Sequence, residues 1–255
     1  MIPTGQAVPD VPDVPMDAVG RRVTRGGAMA ERPARGRAPR GYDRFEPVER
    51  RITIRGTEWS LWRPPDLESL IDLEAFAADE RIPYWADVWE SAIVLAEDLA
   101  LLDGAGRRLV ELGCGLGLPA LVAARRGFTV TATDYEEPAL EGVRYNAACN
   151  GLEALATRVL DWRAPPPDLP PQDYVVAADV LYEKHHPAAL AGVIAALLAA
   201  DGVGLVADPG RARAEEFPAA AAAAGLVATP TGARRPEGVA AGPAVEVWRV
   251  VRRPA

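Results

Sequence analysis

The chain has few of the residues that build disulfide frameworks and metal sites. Its 255 residues include two cysteines, Cys114 and Cys149, and two histidines, His185 and His186. Two cysteines are too few for the disulfide framework of a secreted protein, so we expect a cytoplasmic protein. A zinc site would need both cysteines and both histidines to converge, so the sequence predicts no metal site.

Neither a long apolar run nor an excess of positive charge is present. The apolar stretches fall short of the roughly 18 residues of a membrane-spanning helix, so no membrane partner is expected. The formal net charge of −8 and the pI near 5.0 disfavour nucleic acid as a partner bound through bulk positive charge. Apolar residues make up 49% of the chain, which is enough for a sizeable core.

Composition and periodicity divide the chain into three predicted parts. Residues 1–45 are rich in Pro, Gly, Arg and Asp and lack periodicity, which is typical of a disordered tail. Residues 46–104 carry hairpin and helix signals that would flank a site, and residues 105–255 carry an alternation of strands and helices. In the middle part, we predict hairpin strands at 51–55 and 58–62 around Gly56-Thr57, and helices at 66–79 and 91–102.

Strand and helix signals alternate from residue 105 onward. Five strand–helix units come before a final strand pair, and the third strand leads into a Pro-rich loop at 164–171. The predicted strands are 108–112, 129–133, 157–160, 174–178, 204–207, 226–229 and 245–251, and the predicted helices are 118–126, 138–150, 187–200 and 212–224. This order predicts an α/β fold with a doubly wound, mostly parallel sheet of seven strands, extended by the N-terminal hairpin and helices.

A glycine-rich turn follows the first strand of this alternation. Gly113, Gly115 and Gly117 occupy every second position, so the backbone can turn sharply with no side chain between it and a bound group. The helix that follows directs free N–H groups and its positive dipole end toward that space. Such a turn suits a nucleotide-like cofactor, although many α/β proteins place glycine here for geometry alone.

Two features of the turn indicate which cofactor it suits. The dinucleotide fingerprint requires a third glycine three residues after the second, and this chain has Leu118 there, which disfavours NAD and FAD. Glu111 ends the preceding strand, and its carboxylate would repel a diphosphate. A carboxylate at this place suits a positively charged cofactor such as S-adenosyl-L-methionine.

The ends of the next two strands carry further candidates for cofactor binding. Asp134 falls about 20 residues after the first glycine, where a carboxylate can accept both ribose hydroxyls. Its alternative role is to cap the helix that follows. Asp161 can accept from an adenine amino group and Trp162 can stack on the ring, or the two are a loop aspartate and a buried tryptophan.

These residues together resemble a known family. Glu111-Leu112-Gly113-Cys114-Gly115-Leu116-Gly117, followed by Asp134 and Asp161-Trp162, resembles the class I, seven-strand S-adenosylmethionine-dependent methyltransferases, which have a Rossmann-like fold. Residues 83–96 and the sequence Ala178-Asp179-Val180-Leu181-Tyr182 are similar to segments of the lysine methyltransferase group called methyltransferase family 16. Ala207-Asp208-Pro209-Gly210-Arg211 is similar to a turn in the branch that contains the electron-transfer-flavoprotein β-subunit lysine methyltransferase.

The resemblance implies a role for several positions. It places Trp89 and the backbone of Ala178 against the cofactor, and Gly113 and Gly115 along its methionine portion. It places Asp134 at the ribose and Trp162 beside the adenine. For Tyr84 and Trp85 the sequence leaves cofactor contact, substrate contact and core packing open.

The resemblance also implies that Asp179 and Tyr182 are catalytic. A lysine amine attacks only when neutral, although its ordinary pKa is about 10.4, so a carboxylate would bind and orient the deprotonated amine. Tyr182 would present its hydroxyl and ring face to the positive centre. The alternative is that Asp179 caps a loop and Tyr182 packs beneath a helix. A histidine of residues 183–186 could take the amine proton, but a solvated helix start is the favoured interpretation there. Asp208 and Arg211 could shape the rim of the substrate site, but a turn with a helix entry is the favoured interpretation for them.

The expected function is therefore N-methylation of a lysine side chain on a protein substrate, with S-adenosyl-L-methionine as cofactor. Two alternatives remain at this point. The same chemistry could act on a small-molecule amine, or the chain could be a non-catalytic binding module that retains the fold. Intact acidic residues at the strand ends argue against the second alternative.

Overall fold

The computed structural model describes residues 47–65, 70, 83–152, 155–164 and 168–254. All of them belong to one unit of the chain, residues 35–255. The tail predicted at 1–45 and, apart from Leu70, the helix predicted at 66–79 lie outside the described residues. Among the described helices, none has the length and apolar character needed to cross a membrane.

The first element is an antiparallel hairpin formed by β1 (Val48–Ile54) and β2 (Thr57–Arg63). Its two-residue turn consists of Arg55 and Gly56, whose φ angles of 46° and 78° match the twist of a hairpin. The turn lies one residue earlier than predicted, because Thr57 already pairs with Ile54.

A seven-stranded sheet forms the centre of the described residues. Its strands are β3 (Arg108–Leu112), β4 (Thr129–Asp134), β5 (Ala156–Val159), β6 (Gln172–Ala178), β7 (Leu198–Asp208), β8 (Leu226–Pro230) and β9 (Glu246–Arg252). They lie in the order β5-β4-β3-β6-β7-β9-β8, and β9 alone runs antiparallel to its two neighbours. This arrangement confirms the predicted doubly wound, mostly parallel sheet.

Five α-helices accompany the strands in the described residues. They are α1 (Glu90–Leu99), α2 (Leu118–Arg125), α3 (Glu137–Cys149), α4 (His186–Leu197) and α5 (Phe217–Ala223). Helices α2 to α5 all carry proline in the first turn, where a backbone N–H has no partner within the helix. Proline therefore marks where these helices begin.

Two of the predicted helix bounds were wrong. The helix predicted at 187–200 ends at Leu197, because Leu198 begins β7 and pairs with Gln172 of β6. The helix predicted at 212–224 begins as a 3₁₀ turn, Ala214–Glu216, and becomes α-helical only at Phe217. After the third strand, the described residues of the Pro-rich loop predicted at 164–171 contain no helix, as expected.

Apolar side chains pack on both faces of the sheet. Leu109 and Val110 are successive residues of β3, both 0% exposed, and they belong to different core clusters. Successive residues of a strand point to opposite faces, so the burial of both residues shows that β3 is covered on both sides. Trp59 and Leu61 of the hairpin join the same cluster as Leu109, so the hairpin completes this part of the core.

Two asparagines, one within α3 and one at its C-terminal cap, connect the hairpin to this helix. Asn146 accepts from the backbone N–H of Trp62 across 2.8 Å, and Asn150 accepts from the N–H of Ser60 across 3.1 Å. Asn150 also donates to the carbonyl of Ser60 at 2.7 Å. Because residues four apart lie on one face of a helix, the two amides replace the sheet partner that β2 lacks on this side.

The strand order determines where a ligand can bind. Strand β3 lies between β4 and β6. Strands β4 and β5 extend the sheet on one side of β3, and the strands from β6 onward extend it on the other side, so the strand order reverses at β3. In open α/β sheets, ligands bind at the carboxyl ends of the strands at such a switch point. Gly113, Asp134, Asp161, Asp179 and Asp208 all lie at or just after the carboxyl ends of the five parallel strands.

Candidate functional site

A pocket of about 420 Å³ opens at the carboxyl edge of the sheet. This volume lies within the range of small-molecule and cofactor sites. All ten residues that the sequence proposed for binding or catalysis line it: Trp89, Glu111, Gly113, Gly115, Asp134, Asp161, Trp162, Ala178, Asp179 and Tyr182. The fold thus brings together candidates that are far apart in the sequence, such as Trp89 and Tyr182, which are 93 residues apart.

The glycine turn has backbone conformations that other residues adopt at a cost. Gly113 and Gly115 have φ angles of 67° and 50°. A Cβ on Gly113 would lie 3.0 Å from Val180, and a Cβ on Gly115 would lie 3.1 Å from the carbonyl oxygen of Trp85. The chain itself therefore requires glycine at both positions, and their contact with a cofactor stays a prediction.

Asp134 joins the glycine turn to the end of β4. Its Oδ2 accepts from the backbone N–H of Gly115 at 2.9 Å, and its Oδ1 accepts from that of Glu136 at 3.0 Å. The side chain is buried, and this burial raises the pKa of the carboxyl to about 6, although both hydrogen bonds act in the opposite direction. Each oxygen keeps a lone pair with which it could accept from a ribose hydroxyl.

Glu111 supports the helix that follows the turn. Its Oε2 accepts from the backbone N–H of Ala120 in the first turn of α2 at 2.8 Å. Only 1% of the residue is exposed, and burial raises the pKa of its carboxyl well above the ordinary range. The carboxyl satisfies one of the unpaired N–H groups at the helix start while it lines the pocket.

Asp161 and Trp162 lie on the far wall of the pocket. Both carboxylate oxygens of Asp161 accept from Arg163, with the shortest contact 2.6 Å, and this pairing lowers the pKa of the carboxyl to about 2. An adenine amino group would therefore share Asp161 with Arg163. The indole of Trp162 packs edge-on against His186 with the ring centroids 5.4 Å apart.

Asp179 has an unusual conformation and an unusual set of partners. Its φ angle is +59°, in the left-handed region that non-glycine residues rarely adopt. Nε of Arg211 donates to its Oδ1 at 2.6 Å. Its Oδ2 is buried and has no hydrogen-bond partner among the described residues. The carboxylate thus presents one unsatisfied oxygen in a residue that lines the pocket.

Aromatic rings form a wall beside Asp179. The ring of Tyr84 lies 5.3 Å from that of Tyr182 and 6.2 Å from that of Trp89, measured between centroids. Tyr182 also contacts His186 at 4.7 Å and is 41% exposed, so it does not pack beneath a helix. Tyr84 belongs to this wall, and Trp85 packs against the apolar core while also lining the pocket.

Two residues have a larger part in the site than the sequence suggested. The favoured interpretation of a solvated helix start holds for His185, which is exposed, but not for His186, whose side chain is only 12% exposed. Arg211 contacts two pocket-lining residues, Asp179 and Trp89, rather than serving only as part of a turn. The sequence feature that could have indicated both residues is an aspartate at the preceding strand end, Asp179 before His186 and Asp208 before Arg211.

A group of possible metal ligands lies at the edge of the pocket. Side-chain atoms of Glu183, His185 and His186 all lie within 4.8 Å of one another. Nitrogen atoms of the two histidines lie 3.5 and 3.6 Å from the Glu183 carboxylate. Imidazole and carboxylate together suit divalent transition metals, so within the described part of the chain this group could hold such an ion.

The fold and the pocket define the class I methyltransferase architecture. Solved structures with this fold include magnesium protoporphyrin IX methyltransferase from Synechocystis PCC 6803 with bound SAM, at 17% identity and a TM-score of 0.52, covering 63% of this chain and 79% of that chain. SMU.776 complexed with SAH is similar over 79% of this chain and 55% of its own, at 11% identity and a TM-score of 0.58. Identities this low establish the fold alone.

The family model described as lysine methyltransferase matches residues 79–217, which is more than half of the chain. The protein belongs to this lysine methyltransferase family, as the resemblance in the sequence implied. Protein N-lysine methyltransferase METTL21A of Danio rerio is 39% identical over 44% of this chain and 55% of its own length. Histone-arginine methyltransferase METTL23 of Homo sapiens is 36% identical over 38% of this chain and 54% of its own length. The chain thus spans about half the length of the curated relatives it matches.

Proposed function

We propose that this protein is an S-adenosylmethionine-dependent methyltransferase that methylates the side-chain amine of a lysine in a protein substrate. One observation carries the proposal: Asp179, with its buried and unpartnered Oδ2, lines the same pocket as the glycine turn and Asp134. Family membership supports the reaction, and the likeness to METTL21A, a protein N-lysine methyltransferase, supports the acceptor.

The residues of the pocket fit the proposed cofactor. Asp134 retains acceptor capacity for ribose hydroxyls, and Trp162 offers a ring beside the place expected for adenine. Trp89, Gly113 and the backbone of Ala178 complete the wall on the side of Asp179. When bound, S-adenosyl-L-methionine supplies a methyl group activated by a sulfonium.

The pocket around Asp179 also fits a lysine side chain. Oδ2 of Asp179 can accept an N–H of the neutral amine and hold its lone pair in line for attack. The faces of Tyr84 and Tyr182 attract the positive charge that forms on nitrogen and keep water away from it. Burial lowers the pKa of His186, so its neutral imidazole adds no positive charge beside the amine, which loses its proton to solvent before it reaches Asp179.

The proposal also includes the cellular location of the protein and the kind of partner it binds. Cys114 and Cys149 are not joined by a disulfide bond, which is compatible with the cytoplasmic location expected from the sequence. Because the formal net charge of the chain is −8, we do not expect nucleic acid as a partner. A protein partner that presents a lysine in an accessible segment remains the substrate we expect.

The test combines binding and labelling. Calorimetry with S-adenosylhomocysteine measures whether the pocket binds the cofactor product. The pure protein and labelled cofactor are then incubated with an extract from a strain that lacks the gene. We expect label on a discrete protein band with the wild type and none with Asp179→Asn, while both proteins bind S-adenosylhomocysteine equally. Asp168→Asn is the matched control, since Asp168 pairs with Arg158 at the surface outside the pocket.

Three outcomes would contradict the proposal. A wild-type protein that does not bind S-adenosylhomocysteine would exclude the cofactor. Label confined to small solutes would indicate a small-molecule acceptor instead. Full activity of Asp179→Asn would show that the carboxylate does not serve the acceptor.

A further inference from the structure

Asp179 already holds one guanidinium before any substrate arrives. Nε of Arg211 lies 2.6 Å from Oδ1 of Asp179, and the Asp179 side chain is 4% exposed. The other oxygen, Oδ2, is buried and has no hydrogen-bond partner among the described residues. An acceptor that reaches Asp179 therefore finds one oxygen in use and one available.

Arg211 is held in place by contacts on two further sides. Its backbone N–H donates to Oδ1 of Asp208 at 2.7 Å, and the same oxygen accepts from Gly210 at 2.8 Å. Its guanidinium carbon lies 5.3 Å from the centroid of the Trp89 ring. The indole of Trp89 is itself fixed, since its Nε1 donates to the carbonyl of Tyr84 at 2.9 Å. Displacing Arg211 would break an ion pair and a cation–π contact together.

We infer that Arg211 determines specificity: by occupying Oδ1 of Asp179, it leaves a site for the single N–H of a lysine amine and excludes the two-point pairing of an arginine guanidinium. The inference rests on the proposed function and deepens it. Relatives of this chain include both protein-lysine and histone-arginine methyltransferases, so the family fold alone does not decide between these acceptors.

The chemistry of the two acceptors supports this choice. A guanidinium pairs best with a carboxylate through two parallel hydrogen bonds, which require both oxygens. A lysine amine is a compact donor on a flexible stem and can use one oxygen. The fixed charge of Arg211 also repels a second cation, which favours the neutral form of an approaching amine. A guanidinium has no neutral form available in proteins, so it cannot escape this repulsion.

The test compares products rather than rate alone. The full chain, labelled cofactor and the extract from the gene-deleted strain are incubated, and the proteins are hydrolysed for analysis of methyl-lysine and methyl-arginine. With the wild type we expect methyl-lysine. With Arg211→Ala we expect the ratio of methyl-arginine to methyl-lysine to rise about tenfold or more, because one extra charged hydrogen bond is worth at least that factor. Arg211→Lys keeps a cation at Oδ1 and should keep the wild-type ratio.

A second measurement does not depend on turnover. In the presence of S-adenosylhomocysteine, n-butylguanidine and n-butylamine are titrated against wild type and Arg211→Ala by NMR. Binding of n-butylguanidine should tighten about tenfold in the variant relative to n-butylamine. Arg213→Ala is the matched control, since Arg213 pairs with Glu216 and does not contact Asp179.

The outcomes separate this inference from the proposed function. Methyl-arginine as the main wild-type product would overturn both the proposed lysine acceptor and the inference, whereas an unchanged preference for the two probes in Arg211→Ala would overturn the inference alone. Absence of any label with wild-type protein that binds S-adenosylhomocysteine would instead contradict the proposed function, and the probe pair would still test the preference of Asp179.

Discussion

The backbone N–H of Gly115 donates to Oδ2 of Asp134 across 2.9 Å, which joins the glycine turn after β3 to the end of β4. Each partner depends on the other. The hydrogen bond satisfies an N–H that the turn leaves unpaired, and it holds the carboxylate at the edge of the pocket. A single bond thus couples the backbone that shapes the pocket to the side chain that we propose binds the ribose.

Removing the Asp134 carboxylate should weaken cofactor binding. We expect Asp134→Ala to raise the dissociation constant for S-adenosylhomocysteine at least about tenfold, because a hydrogen bond to a charged group contributes about 1.5–3 kcal/mol. Calorimetry measures the change. Asp168→Ala, at an exposed ion pair with Arg158, should bind like the wild type. Equal binding by Asp134→Ala would remove Asp134 from the cofactor site.

The raised pKa of Asp134 predicts a pH-dependent contribution to stability. Burial moves this pKa from 3.8 to about 6, so the folded state binds more protons than the unfolded state between these values. The stabilising contribution is complete below pH 3.8 and is lost as the pH rises through about 6. Each pKa unit is worth about 1.4 kcal/mol, which gives about 3 kcal/mol in total.

Asp134→Asn isolates this contribution. Urea unfolding of the cofactor-free proteins at pH 4.5 and pH 7.5 gives the free energy of unfolding of variant and wild type. We expect the difference, variant minus wild type, to be larger at pH 7.5 by about 2–3 kcal/mol, since only the wild type has a carboxylate to desolvate. A difference that does not change with pH would show that Asp134 titrates normally.

An alanine at Gly115 should destabilise the fold more than an alanine at another glycine of similar conformation. Gly115→Ala combines a φ of +50° with a Cβ 3.1 Å from the Trp85 carbonyl oxygen. Gly151→Ala has a φ of +70° and open space around the new Cβ. We expect losses in the free energy of unfolding of about 2–4 kcal/mol and about 1 kcal/mol, respectively. Equal losses by urea unfolding would mean that backbone strain alone explains the glycine.

Arg234 should contribute strongly to the stability of the fold through its ion pairs with α1. It pairs with Glu97 and donates to Asp98 at 2.6 Å, and Glu97 is 1% exposed. Arg234→Ala leaves the buried Glu97 carboxylate without its cation, which should lower the free energy of unfolding by about 3–5 kcal/mol. The neighbouring Arg235→Ala should cost less than about 0.5 kcal/mol, since Arg235 is exposed. Thermal unfolding of both variants provides the comparison.

Much of the fold could be predicted because its signals are local. The strand predicted at 108–112 matches β3 residue for residue, and the helix that follows begins at Leu118 as predicted. Apolar runs, glycine turns and first-turn prolines act within a few residues, so they can be read without knowing the neighbours. The end of α4 could not be predicted in this way, because it depends on Leu198 pairing with Gln172 of another strand.

The candidate site divides in a similar way. The sequence identified ten residues that line the pocket, since most of them lie at or near the carboxyl end of a strand whose place in the sheet follows from the predicted fold. The branch of the family to which residues 207–211 are similar stays a prediction. The sequence also did not show that Arg163 pairs with Asp161 and that Arg211 pairs with Asp179. Nor did it show that the side chain of His186 is largely buried.

The sequence by itself determined the order of strands and helices, the glycine turn and the acidic residues at the strand ends, because these depend on backbone preference and periodicity along the chain. Only the tertiary structure decided that one oxygen of Asp179 is taken by Arg211 and the other is unpaired. The two residues are 32 positions apart and come from neighbouring strand ends. Their meeting depends on the register of β6 against β7, a long-range property that no local pattern records.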